Sequence, residues 1–203
     1  ANSDFSKLLL TRNGFAKKQI HKIEAQRFNY LIDHKRKINK KKSKSDKTIL
    51  IITSIIPEET YELLYFFALA NVKFKKVYIK EHPIFPIKSI LKSLNKVFPD
   101  YEMISSTVSV ALKHADIVYT ACGSSVLLES VTHKIPTVSL ISLSILPIPA
   151  IEKASNLYYV SDVVSLSNIL KKLLKDLNSN NFENDRINYL YLGKNLKLWR
   201  KFI

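Results

Sequence analysis

From Thr48 onward the sequence alternates short β-branched apolar runs with stretches at helical spacing, and that rhythm leaves few folds open. Thr48 to Ser54, Lys76 to Lys80, Tyr101 to Ile104, Ile117 to Ala121, Thr137 to Ile141 and Leu157 to Val160 read as strands. Between them, Pro57 to about Ala70, Ile87 to Val97, Thr107 to His114, Ser124 to His133 and Asp162 to Leu177 read as helices, and a last helix is expected from about Phe182 to Phe202. A helix after each strand returns the chain to the end where it began, so the strands run parallel and the sheet is covered on both faces. The expected fold class is α/β, a Rossmann-like parallel sheet with helices on both faces, carrying a helical N-terminal extension and a C-terminal helix.

The first forty residues do not share the rhythm. Asp4 to Thr11 reads as one short strand ending at the turn signal Asn13-Gly14, and Ala16 to Ile32 as a basic amphipathic helix with Ile20, Ile23, Phe28 and Leu31 near one face. The chain opens on Ala1 rather than Met, and this stretch has nothing of its own to pack on, so 1–34 is expected to be the exit segment of a missing N-terminal domain. Lys35 to Lys47 follows as a basic linker, and 48–203 as the Rossmann-like domain.

Charge narrows the function classes. The 203 residues carry a net charge of +15, but seven of those charges, eight Lys or Arg less Asp46, fall in the thirteen residues from Lys35 to Lys47. A solvated linker accounts for such a run. An anionic inner-membrane surface is the sharper partner, and RNA is not expected because no aromatic residue interleaves the lysines. The lone Cys122 excludes an internal disulfide framework and fits a reducing compartment, so the expected location is cytoplasmic, peripheral to the inner membrane if the basic run meets lipid. Leu8 to Leu10 is too short for a secretory core, and the uncharged run Ile135 to Ile151 is too short for a span and broken by Pro136, Pro147 and Pro149.

In a parallel α/β sheet, ligands bind where strands end at their carboxyl side, near the switch in strand order. Three chemically loaded stretches end strands here: Thr53 to Glu59, Lys80-Glu81-His82-Pro83, and Thr120 to Ser125. Gly123 allows a steep turn out of the central strand, and Ser124 or Ser125 can cap the next helix while leaving backbone N–H groups for an anion. His82 is placed to donate to a phosphate oxygen, and Glu129 to accept from a ribose diol. Glu58 and Glu59 stand at a helix start, where acidic residues are also favoured by the dipole alone. No metal-ligating cluster is visible.

The run Ala115 to Leu140, with strand, Gly-Ser-Ser, apolar helix, Glu129-Ser130 and Lys134-Ile135-Pro136-Thr137-Val138, resembles the nucleotide-binding half of GT-B glycosyltransferases. With Lys80-Glu81-His82-Pro83 some forty residues upstream, it is similar to bacterial sialyltransferases, polysialyltransferases and related capsule or lipopolysaccharide enzymes that use CMP-activated sugars. The resemblance covers about Thr48 to Leu177. It implies that His82 and Ser124 or Ser125 contact the donor phosphate and that Glu129 contacts the ribose. Lys80, Pro83, Thr120 and Gly123 complete the expected donor site. It also implies an acidic general base, for which Glu59 or Glu58 is the candidate, although the Gly that follows the family's acidic pair is replaced by Thr60. A second departure is Lys134, which stands where a Gly is usual after the helix.

The expectation is therefore the donor-binding half of a bacterial glycosyltransferase, one half of a GT-B fold. It would transfer a sugar from a nucleotide-sugar substrate, a CMP-sugar, to a glycan acceptor of a surface polysaccharide, with no cofactor and no metal. The alternatives are a UDP-sugar 2-epimerase or UDP-sugar transferase domain, and a non-catalytic module binding RNA or anionic lipid.

Overall fold

The computed structural model describes residues 1–32, 46–146, 149–176 and 189–201. They form two compact units, one made of 1–32 with 189–201, the other of 46–146 with 149–176. Among the described residues no helix is long and apolar enough to cross a membrane.

The larger unit holds one six-stranded sheet: β1 Thr48–Ile52, β2 Lys76–Lys80, β3 Glu102–Met103, β4 Ile117–Ala121, β5 Thr137–Leu140 and β6 Leu157–Val160. Every pairing is parallel and the order is β3-β2-β1-β4-β5-β6. This is the doubly wound, Rossmann-like α/β fold expected from the rhythm, and its strand order reverses between β1 and β4. The residues of β1, β4 and β5 are all buried, as continuous apolar runs covered on both sides should be. β3, a two-residue exposed edge strand, ends the sheet, with Glu102 ion-paired to Lys76 of β2 at 3.1 Å.

Alternation along the strands builds two cores. On one face Ile49, Ile51, Ile79, Ile117, Tyr119, Val138 and Leu140 pack with residues of α2 (Pro57–Ala70), α3 (Lys88–Ser93) and the helix Val163–Asp176. On the other, Leu50, Ile52 and Val118 pack with Ala111 of α4 (Val108–Ala111), Leu112 of the 3-10 turn Leu112–His114, and Val126 of α5 (Val126–Thr132). Val163–Asp176 is α6. Each fully buried Leu or Ile contributes about 1.5–3 kcal/mol. At the amino ends of the strands, buried Asp116 ties β4 to β1 by accepting the Thr48 N–H at 2.9 Å.

The C-terminus of α5 answers one departure noted in the sequence. Lys134 adopts φ +54°, the left-handed conformation, while the Ile135 N–H donates to the Ser130 carbonyl at 3.0 Å and the Lys134 N–H to the Val131 carbonyl at 2.9 Å. That is a Schellman motif with a lysine in the glycine position. Buried Ile135 supplies its apolar contact.

Expectations for the smaller unit are corrected. Asp4 to Thr11 is not a strand but α1, Asp4–Arg12, because Ser3 caps it (Ser6 N–H to Ser3 Oγ, 2.9 Å) with Asp4 in the first turn and Arg12 in the last. Ala16 to Ile32 is not one helix but two 3-10 stretches, Lys17–Gln19 and Gln26–Ile32. The chain between them spends its backbone bonds elsewhere: the Ile23 N–H donates to the Ala1 carbonyl and the Ala25 N–H to Tyr191. The described part of the expected last helix, 189–201, holds only the 3-10 turn Trp199–Lys201 and belongs to the same compact unit as 1–32. Buried Glu24 holds it there, accepting the Leu198 N–H at 2.7 Å and the Trp199 N–H at 3.1 Å. The expected linker falls largely on 33–45, outside the described residues. Its last members, Asp46 and Lys47, belong to the sheet unit, where Lys47 is buried and its carbonyl accepts the Lys75 N–H at 2.9 Å.

Candidate functional site

The register places Lys80, Ile52 and Thr120 in one row across β2, β1 and β4, so the three loaded stretches leave the sheet from the same carboxyl edge. The chain then diverges: α2, which follows β1, covers one face and α5, which follows β4, the other. In folds of this kind, ligands are bound between strands whose helices depart in opposite directions.

Each stretch is shaped by its own hydrogen bonds. After β1, Thr53 is buried, and its N–H donates to the Lys80 carbonyl at 3.1 Å. The Thr60 hydroxyl closes the turn into α2, accepting the Ser54 N–H at 3.0 Å and donating to the Ser54 carbonyl at 2.9 Å. After β2, the His82 N–H donates to Thr53 Oγ1 at 3.1 Å, which locks the His82 stretch to the β1 end beside it. The Phe85 N–H donates back to the His82 carbonyl at 3.0 Å, so exposed Pro83 and Ile84 form the corner of a tight turn. Half-buried His82 accepts the Ile84 N–H at Nδ1, 3.3 Å, and a ring nitrogen that accepts leaves the proton on Nε2. The imidazole is thus an Nε2–H donor. Lys80 is half-buried at the end of β2.

After β4, Gly123 is exposed and Ser124 and Ser125 are half-buried. The N-cap of α5 is Ser125, whose side chain makes no capping bond; Ser124 Oγ, one residue earlier, accepts the Val126 N–H at 3.3 Å and keeps its own hydroxyl hydrogen to donate. Gly123 makes its turn without a left-handed φ, which among the described glycines belongs to Gly14, φ +88°. With seven residues, α5 offers a few N–H groups at its start rather than a long dipole.

Two residues expected to contact the ligand are buried. Thr120 is fully buried and its hydroxyl donates to the Ile52 carbonyl at 2.9 Å, so it joins β4 to β1 instead of facing a ligand. Glu129 is 6% exposed within α5, which makes it a buried carboxylate rather than a solvated one. The two candidate bases differ. Glu59 is 3% exposed, and burial pushes its carboxyl above the usual carboxylate value, with the Ser54 hydroxyl pulling it back and Glu62 pushing further. Glu58 is exposed and lines a groove of about 640 Å³ with Tyr61, Glu62, Tyr65 and Phe85. Sequence reasoning passed over those last four. Their signal was Glu58, Tyr61, Glu62 and Tyr65 at helical spacing, polar and aromatic on one face of α2. Tyr119 is also new: its phenol is fully buried without a hydrogen-bond partner among the described residues, and burial, then the Glu62 charge, holds its pKa well above the usual value.

The fold has solved counterparts. A Listeria monocytogenes protein named as a UDP-N-acetylglucosamine 2-epimerase matches at TM-score 0.62 and 16% identity, over 98% of this chain and 56% of that one. The Neisseria meningitidis UDP-GlcNAc 2-epimerase, bound to UDP-GlcNAc, matches at 0.55 and 14%, over 85% and 51%. Anabaena Alr3699/HepE in complex with UDP-glucose matches at 0.54 and 13%, over 88% and 54%. The chain spans about half the length of each. The sequence matches no protein-family model and no curated protein. At these identities the likeness is one of fold.

Proposed function

We propose that this chain is the donor-nucleotide-binding half of a bacterial glycosyltransferase, taking a sugar from a nucleotide-activated donor and passing it to a surface-polysaccharide acceptor. The observation that carries the reading is the His82 turn, hydrogen-bonded to Thr53 beside the β1/β4 switch and left with an Nε2–H to give. In the proposed site His82 Nε2–H and the Ser124 hydroxyl donate to the donor phosphate, and Lys80 and Gly123 to Ser125 complete the cradle. Donors aimed at a departing phosphate stabilise the charge that develops as the glycosidic bond breaks. Glu59, with its carboxyl raised by burial, is the candidate base for the acceptor hydroxyl. Glu129 is assigned to the ribose.

The donor is proposed to be a CMP-sugar, supported by the His82-Pro83 and Ser124-Ser125 pairs and their spacing. The second reading, a UDP-sugar 2-epimerase or UDP-sugar transferase domain, is supported by fold neighbours solved with UDP-GlcNAc and UDP-glucose. Calorimetry separates them. The reading expects CMP to bind more tightly than UMP or UDP, and His82→Ala to weaken CMP by about 1.5–3 kcal/mol, the loss of a hydrogen bond to a charged group. UDP binding more tightly than CMP would favour the second reading.

A further inference from the structure

The groove beside α2 has a chemistry of its own. Tyr61 and Tyr65, one helical turn apart, lie nearly parallel, with ring centroids 5.7 Å apart and 17° between planes, and both are exposed, at 44% and 36%. Phe85 adds a third ring, Glu58 and Glu62 supply two carboxylates, and among the described residues no Lys or Arg lines the groove, although the chain carries +15 overall. Two carboxylates without a cation repel phosphate, which sets this groove apart from the nucleotide edge. The remaining guests are cations and neutral hydroxyl-rich molecules. A cation is best held by rings set around it as a cage, each turning a face inward. Tyr61 and Tyr65 stack on each other instead and leave their outward ring surfaces exposed, which suits the C–H face of a pyranose, while carboxylates are acceptors for its hydroxyl hydrogens. The volume, about 640 Å³, falls among those of small-molecule sites.

We propose that this groove is a binding site for neutral sugar residues of a glycan, stacked on Tyr61 and Tyr65 and hydrogen-bonded to Glu58 and Glu62. It stands on the groove's lining and not on the nucleotide reading. The test is saturation-transfer NMR on the 203-residue chain with cellotetraose, maltotetraose and tetra-N-acetylchitotetraose, with tetramethylammonium as the cationic competitor. One of the three oligosaccharides is expected to receive saturation at its ring C–H protons. Tyr65→Ala should weaken it about tenfold, as loss of an aromatic contact does, and Tyr65→Phe should restore it. CMP and UDP affinities should not change in either variant. The proposal is overturned if none of the three binds, if Tyr65→Ala and Tyr61→Ala leave binding unchanged, or if tetramethylammonium displaces the sugar. A chain that binds oligosaccharide but neither nucleotide upholds the groove and removes the donor site; the converse does the reverse.

Discussion

Lys134 shows how one residue can work against the fold it serves. A side chain in the left-handed region costs roughly 1–2 kcal/mol, and glycine avoids that at the expense of a more flexible unfolded chain. Lys134→Gly is therefore expected to stabilise the sheet unit by about 0.5–1 kcal/mol, read as a higher urea midpoint. Glu59 makes a pH-dependent contribution of the opposite kind. Its carboxyl is raised in the folded state, so the fold binds the proton more tightly than the unfolded chain does. Stability from this group is then full below the ordinary carboxylate value and is lost as pH rises through the raised one. Glu59→Gln should remove that loss: its urea midpoint should meet the parent's in acid and exceed it at neutral pH. A midpoint difference that does not vary with pH would place the Glu59 carboxyl outside a desolvated environment.

At the scale of elements, the turn between β1 and α2 positions both Glu59 and the Thr53 partner of His82. Thr60→Val deletes the hydroxyl that closes this turn while keeping the side-chain volume, and is expected to cost about 1–2 kcal/mol in urea unfolding. β2, β4 and β6 were legible to the residue and α2 nearly so, because the strands are short runs of β-branched and aromatic residues and α2 is a long, largely apolar stretch opened by Pro57. α1 was not, although Ser3-Asp4 spelled a helix start, because Leu8-Leu9-Leu10 fits a strand as readily as a helix. The stretch from Ala16 misled for another reason. Its buried Ile20, Phe28 and Leu31 keep helical spacing, yet the backbone of Ile23 and Ala25 bonds to Ala1 and Tyr191, a pairing no local pattern announces. That the strands leading to Lys80, His82 and Ser124 end at one edge of the sheet could be read from parallel strands alone. Thr120 could not, since whether its hydroxyl meets a ligand or Ile52 depends on the neighbouring strand. The groove needs Phe85 and Ser144 brought to α2 from two other loops, which is likewise non-local.

For the whole molecule, the sheet places two chemistries in one unit. A strand edge with an imidazole donor, serine hydroxyls and Lys80 suits an anion, and an aromatic, acidic groove beside α2 suits an uncharged partner. Under the proposed function the edge takes the activated donor and the groove the acceptor, and their opposite charge preferences keep the phosphate from the wrong one. The central claim is where the nucleotide binds, and amide chemical-shift mapping of the 203-residue chain with CMP tests it most directly. The account predicts that CMP shifts the amides of Thr53, Ser54, His82 and Gly123 to Ser125, and leaves Tyr61 and Tyr65 unmoved. Shifts confined to the α2 groove or to the smaller unit, with the carboxyl edge of β1, β2 and β4 silent, would contradict it.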